Sequence, residues 1–580
     1  MNKKMTTLLL LAASPMYAVK CGGPTEAEPN GTFQEAWDNP DHPVLYPDVF
    51  LVSGFLDGDD TRDDWWIMAS DTPIMRMREA DVAKLQSPFS IDKRPHRFSD
   101  FGVSKLRFGN NKLSDLLAQA KTKMRFNIES FPTLDGPTVT LEVEPIDVLD
   151  RNTKIVAASI EDGVYKERPL KHPELTTLSG IIANEPDSLV FLALDPKGDI
   201  NGFIRRDDRL VFISMESDDN GSTPVMFDPH QVPEELLPSS SEMCQQIALL
   251  EFQPPVAEGN ESFFRSSAPL RRLEIAIDTD REFTQDLFGG NSSAAVAYTV
   301  VLMSAASAIY TDQLNIELDL TYLRLWPDSE DPFNSQDTVT QLFEFRSHWE
   351  NSMSSVDRDL AHLLSGKLGG GAAFLGGLCS TNGAGYGASR VDGYFPTPVE
   401  DFSPFNWDIF VFTHELGHNL GAPHTHDYCP PLDRCAPDGF FGDCQDWQAC
   451  SNNGTIMSYC HVCSGGMRNI RLQFHDEVKA TILNYLDAIS CDYTTNEPAT
   501  LLGGVALSPG SDISATLQRI VWADEESWYY EVVDRFEFAV PAGGVTEIFN
   551  VSFEFDARDP HVYTFEGTAE TYLFSLYIGQ

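Results

Sequence analysis

The segment His414–His426, HELGHNLGAPHTH, places four of the chain's 13 histidines within thirteen residues. Residues four apart share a helix face, so a helix here aims His414 and His418 the same way. The apolar run from about Trp407 to Leu420 has the spacing of such a helix. Gly421 follows His418 by three residues and can take the left-handed conformation that ends a helix and turns the chain. His424, three residues further on, then swings back toward the face that carries the first two histidines. The fold must therefore stop a helix at a fixed point and return the chain onto it.

Three neutral imidazoles suit one Zn²⁺ and leave a fourth position for water, the open arrangement of a catalytic site. Glu415 reaches the rim of that position, as the general base does in the HExxH pattern of zinc hydrolases. The full HExxHxxGxxH pattern has a chance expectation on the order of 10⁻⁴ in such a chain, so coincidence explains it poorly. The bland alternative, surface histidines on an ordinary helix, leaves Gly421 and His424 without a purpose. A tetrahedral site filled by three histidines and water has no need of His426, which is read as a non-ligand.

The 580 residues carry 87 Asp and Glu against 41 Lys and Arg, a net charge of -46. Such a chain repels phosphate backbones and anionic lipid surfaces, so neither nucleic acid nor a membrane is an expected partner. Residues 1–18 read as a signal peptide. Lys3 and Lys4 precede the short apolar run Thr6–Ala13, and Met16-Tyr17-Ala18 offers a cleavage site. The MNKK start looks bacterial, and no later run of 18 or more apolar residues follows, so a soluble, secreted, extracellular protein is expected. Of ten cysteines, eight fall within Cys379–Cys491, which in an exported chain implies a disulfide-stapled domain.

Texture divides the chain further. Residues 19–265 are β-rich, with period-two alternation in TVTLEVEPIDV and DSLVFLALDPKGDINGFIRRDDRLVFIS. The Asp57–Asp64 cluster offers Ca²⁺ a site but lacks EF-hand spacing, and reads better as a solvated acidic loop. A boundary fits the loop-like residues 229–262. From Leu270 the pattern becomes β-α-β: LRRLEIAIDTD as a strand, SSAAVAYTVVLMSAASAIY as a helix, NIELDLTYLRLW as a strand. Residues 270–495 are thus an α/β domain, and 496–580 a small β-sandwich-like domain.

The zinc motif resembles the signature of the metzincin metalloendopeptidases, whose methionine turn is matched by Met457 in GTIMSYC. LRRLEIAIDTD and HLLSGKLGGGAAFLGGLCS are similar to the reprolysin (adamalysin) family in particular. The resemblance implies a twisted sheet with helices and a zinc-bearing cleft, preceded by a β-rich propeptide and followed by the all-β domain. It implies cleavage of internal bonds in protein or peptide substrates laid along the edge strand Gly369–Cys379. It also implies a Cys379–Cys491 disulfide; the six remaining cysteines of the cluster can pair in 15 ways. The chain departs from reprolysins at Thr425, where they carry Asp; the nearest Asp is Asp427. Tyr459, two residues past Met457, resembles the tyrosine of astacins and serralysins that stabilises the transition state; packing beneath the site is its other reading.

EMCQQ resembles the cysteine-switch element of reprolysin and matrixin propeptides, in which a thiolate caps the zinc. Cys244 is accordingly a candidate metal ligand of the latent form, with the propeptide as an intramolecular inhibitor; a Cys21–Cys244 disulfide is the alternative. Processing after Arg265 or at Arg271-Arg272 would follow. Two other functions compete: a non-catalytic binding protein on a metzincin scaffold, which would not need Glu415, and an acidic β-rich adhesin.

Overall fold

In the computed structural model, the described residues run from 83 to 489, except 95, 97, 123–124, 162–163, 207–208, 219–220, 233–242, 248–269, 328–329, 379–382 and 394–405. Beyond that range only the backbone of short strands is described. The chain divides into two compact units, residues 82–493 and residues 1–81 with 494–580. In the second unit, Asp512–Trp522 pairs with Trp528–Ala539 and Val562–Gly567, and Ala499–Val505 pairs with Glu547–Phe553. Most of the leader, Cys21 and most of the Asp57–Asp64 cluster lie outside the described residues.

The first unit holds two sheets. One has ten strands between Ala83 and Phe227, antiparallel except where Ala83–Gln86 pairs with Phe126–Phe131. Its strand Glu185–Leu194 is buried on both faces. Val190, Leu192 and Leu194 face a core completed by the helix Asn110–Ala120. Leu189, Phe191 and Ala193 face the opposite way, into a core shared with the zinc-motif domain. Period two sends alternate side chains to the two sides, so both faces need cover.

The second sheet carries the motif. Its strands are β1 (Leu149–Glu161), β2 (Val164–Pro169), β3 (Cys244–Ile247) and β4 (Leu270–Thr279), then β5 (Ile316–Leu325), β6 (Leu360–Ser365), β7 (Gly371–Phe374) and β8 (Tyr386–Arg390). They run in the order β2-β1-β5-β4-β6-β8-β7-β3. β4, β5, β6 and β8 are mutually parallel, and β7 is antiparallel to β8. β1, β2 and β3 come from the region that composition marks as a separate N-terminal one. β1 lies parallel to β5 at one edge, and β3 parallel to β7 at the other. Within the loop-like 229–262, the described strand Cys244–Ile247 thus belongs to the motif's sheet, because strand pairing is set by contacts far apart in sequence.

The helices are α1 (Ser292–Leu314), α2 (Thr338–Ser352), α3 (Trp407–Asn419) and α4 (Asp476–Ala488). The Asn291 side chain caps α1 by accepting from Ala294 N at 3.2 Å, and Asn315, at φ +54°, ends it in the left-handed conformation. α1 is long and apolar enough by length and composition to cross a bilayer, which qualifies the expectation that no such run exists. In the fold 78% of its most apolar window is buried. It packs between the two sheets, which is why no face of it is polar. α2, which the sequence reading passed over, begins where Asp337 accepts from Thr340 N at 2.9 Å.

Candidate active site

α3 delivers the first two histidines. All thirteen of its residues are buried, so it lies inside the core rather than along the surface. Gly417 is required within it, because a Cβ there would lie 2.7 Å from Met457 Sδ. The methionine turn thus supports the helix from below. The helix stops as expected: Gly421 has φ +84°, its N–H donates to His418 O at 2.9 Å, and Ala422 N donates to Gly417 O at 2.9 Å.

The turn brings His424 back. Ligand nitrogens of His414, His418 and His424 lie within 4.8 Å of one another, and Nε2 of His418 is 3.1 Å from Nε2 of His424. That spacing is close to the ~3.3 Å edge of a tetrahedron with 2.0–2.1 Å bonds to zinc. Nδ1 of His414 donates to Ile456 O at 2.6 Å, and Nδ1 of His418 to Ala422 O at 2.7 Å. These bonds fix the tautomer and leave the Nε2 lone pairs aimed inward. His414 Nε2 and both carboxylate oxygens of Glu415 are buried without an N–H or O–H partner. Orphaned buried acceptors of this kind fit a bound cation, and the donor set fits zinc.

Burial sets the charge states. It holds His414 and His418 well below the usual imidazole pKa, helped by neighbouring histidines. Burial likewise lowers His424 to about 3, against the pull of Asp427. All three are therefore neutral, as ligands must be. Burial also pushes the Glu415 carboxyl well above its ordinary value, with a hydrogen bond from Cys244 acting the other way.

Cys244 sits at this site. It is a buried free cysteine, and Cys21, its alternative partner, lies outside the described residues. Its sulfur, a His414 nitrogen and a Glu415 oxygen lie within 4.8 Å of one another. β3 places it there: Cys244 pairs in register with Gly371 and Ile247 with Phe374, and Leu375 N donates to Ile247 O at 2.9 Å. The Tyr459 hydroxyl donates to the Cys244 carbonyl, and its ring stands edge-on to His424 at 4.6 Å. Tyr459 is thus packed beside the histidines with its hydroxyl engaged by the N-terminal strand. Its pKa is pushed far up by burial, then by Cys244, Glu415 and Asp427.

The departure at Thr425 has a local solution. Its N–H and Oγ1 contact Met457 O at 3.0 and 3.2 Å, so Thr425 ties the third-histidine turn to the methionine turn. His426 stacks on His424 with centroids 4.9 Å apart. Below, disulfides join Cys429–Cys444, Cys435–Cys460 and Cys450–Cys463 around that turn. Cys379 and Cys491 lie outside the described residues.

Three site residues escaped the sequence reading. A Cβ on Gly371 would collide with the Glu415 carboxylate, so the glycine makes room for it. Asn419 donates from Nδ2 to Phe374 O at 2.9 Å and Tyr386 O at 3.1 Å, fastening α3 to β7 and β8. Gln246 donates from Nε2 to Asp427 Oδ2 at 2.5 Å. The Gly-rich run was the only signal for the first; the other two had none.

The comparisons with known proteins bear on this domain. Residues 270–474 match the family model Reprolysin_5, described as Metallo-peptidase family M12. A disintegrin and metalloproteinase domain-containing protein 1a of Mus musculus is 31% identical over 164 residues, 27% of this chain and 18% of its own. Protein B of the same description from Aspergillus fumigatus is 30% identical over 151 residues, 24% of this chain and 18% of its own. The chain thus spans about a fifth of the length of these relatives. Metalloproteinase-II from Bacteroides fragilis aligns over 65% of this chain and 95% of its own, at 11% identity and a TM-score of 0.36, too slight a likeness to weigh. The family match falls on the segment that holds the three converging histidines, Glu415 and the methionine turn: residues 270–474 are a reprolysin-like metzincin domain of metallopeptidase family M12.

Proposed function

We propose that the chain is a secreted zinc metalloendopeptidase made as a zymogen, with its N-terminal region as the inhibitor. The observation that carries this reading is the meeting of three neutral imidazoles and the buried Glu415 carboxyl at one point. His414, His418 and His424 hold the zinc. When bound, zinc supplies a Lewis acid and lowers the pKa of a water molecule.

The remaining steps belong to the chain's own groups. An extended peptide lies along β7, whose backbone N–H and C=O groups pair with it as another strand would. Glu415 takes a proton from the attacking water and passes it to the leaving amine. Burial raises the pKa of the Glu415 carboxyl, which favours its taking up that proton. The Tyr459 hydroxyl, once released by Cys244, donates to the oxyanion of the transition state.

Latency follows from the same geometry. β3 takes the backbone partners that a substrate would need, and Cys244 brings a sulfur to the Glu415 side of the metal site. Arg271 and Arg272 are poor processing sites, because both lie inside β4, where Arg271 pairs with Asp487 and Arg272 with Glu317. Processing belongs in 248–269, where Arg265 lies.

A processed sample tests the reading. Chelator-sensitive hydrolysis of casein or a broad peptide library, reduced at least 100-fold in Glu415→Ala, is the expected result. Zinc-loaded wild type that cleaves no member of the library would favour the binding-protein reading instead.

A further inference from the structure

Asp427 is engaged through its backbone N–H and both carboxylate oxygens. It closes the single 3-10 turn Thr425–Asp427, with its N–H donating to His424 O at 3.0 Å. Its Oδ2 lies 3.4 Å from Nδ1 of His424 and accepts from Nε2 of Gln246 at 2.5 Å. Its Oδ1 faces Nε2 of His426 at 3.7 Å. Gly442 packs against the same residue, and a Cβ there would lie 2.8 Å from Asp427 Cα, so the carboxylate has a defined seat.

The three ligating histidines are therefore not equivalent. Those on α3 and at its end donate Nδ1–H to backbone carbonyls, which are neutral and fixed. His424 alone turns its Nδ1 toward a carboxylate. A carboxylate behind a ligating imidazole orients the ring and raises its basicity, and losing such a partner typically weakens metal binding 10–100-fold. The contact is loose here, and the same oxygen is held more closely by Gln246, a residue of the N-terminal strand.

We infer that Asp427 is the positioning residue for the third zinc ligand, and that Gln246 draws its carboxylate away from His424 while the N-terminal strand is in place. In the uncleaved chain the carboxylate is shared. After β3 leaves, Asp427 has His424 as its partner, the imidazole is held more firmly, and the site binds zinc more tightly. β3 then restrains the enzyme at two points: Cys244 beside His414, and Gln246 behind His424. This inference rests on the zinc reading of the site given above.

The test reads zinc ion affinity by competition with a chromogenic chelator, which requires no peptide cleavage. In processed protein, Asp427→Asn is expected to bind zinc 10–100-fold more weakly, with unchanged melting of the zinc-free form. Asp427→Glu, which keeps a carboxylate, is expected to recover at least half of that loss on a logarithmic scale. In the uncleaved chain, Gln246→Ala is expected to bind zinc several-fold more tightly than wild type. Zinc affinity of Asp427→Asn within twofold of wild type overturns the positioning role. An unchanged affinity in Gln246→Ala overturns the sharing, and that arm decides it even if Asp427→Asn fails to fold. Wild type that binds zinc but cleaves nothing would defeat the protease reading alone and leave these affinities fully readable.

Discussion

The sheet that carries the site has two edges, and the N-terminal region closes both in contrasting ways. At β5 the cover is β1, thirteen residues long, with β2 folded back on it. Ile155 and Val156 are buried there, and Thr153 Oγ1 donates to Leu320 O at 2.8 Å. Tyr322 OH donates to Glu167 at 2.7 Å, and Arg324 donates to Tyr165 OH at 3.2 Å. Arg324 is itself fully buried against Asp278, which also accepts from Trp326 and Trp349. Removing β1 and β2 would strip partners from a buried charge network, which is strongly unfavourable. At β7 the cover is β3, four residues long, of which Cys244 alone is fully buried. Backbone pairing, the Cys244 thiol, the Tyr459 hydroxyl on the Cys244 carbonyl, the Gln246 amide and partly buried Ile247 hold it. The long edge is anchored by a buried charge network, and the short edge by far less, as the proposed release of β3 requires.

That contrast can be broken at either side. The largest effect on stability is expected from Ile155→Ala at the long edge, which should cost about 2–5 kcal/mol in denaturant unfolding. It should leave the uncleaved chain as inactive as before. If Ile155→Ala instead released activity, the long edge would share in the lock and the division between the edges would fail.

Acid sharpens the comparison by loading the middle of the sheet. His362 in β6 is fully buried, and burial lowers its pKa to about 3. In the unfolded chain it titrates near 6.5. Between those values the unfolded state binds the extra proton. Stability is therefore flat above pH 6.5 and falls below it, by up to about 1.4 kcal/mol per pH unit until pH ~3. Melting temperatures at pH 7 and pH 4.5 should differ by less in His362→Gln than in wild type. The smallest effect is expected at the rim of the long edge. Lys154 pairs with Glu167 at 2.6 Å, but its side chain is 57% exposed, so Lys154→Ala should cost about 0–1 kcal/mol by the same denaturant measurement.

The convergence of the three histidines was legible because they are local. His414, His418, Gly421 and His424 lie within one helix and one turn, where spacing alone dictates direction. The strands β4 and β5 were legible from alternation and length. The edges were not, because β1 meets β5 across more than 150 residues, as in Lys154 beside Tyr322, and no local pattern announces a partner so distant. The same non-locality hid the contact of Gln246 with Asp427, whereas the cysteine pairing below the site was hidden by the 15 ways six cysteines can pair. The apolar, all-round face of α1 was visible as composition; its reason, a second sheet on the far side, was not.

The proposed function requires that a zinc protease site is complete in this chain and stopped by β3. The most direct test is the rate at which the uncleaved, zinc-loaded chain hydrolyses a fluorogenic peptide mixture, wild type against Cys244→Ala. Loss of the thiol should turn a silent chain into an active one, with the new activity sensitive to chelator and absent from the double variant with Glu415→Ala. A Cys244→Ala chain that binds zinc, melts like wild type and remains as silent would contradict the account.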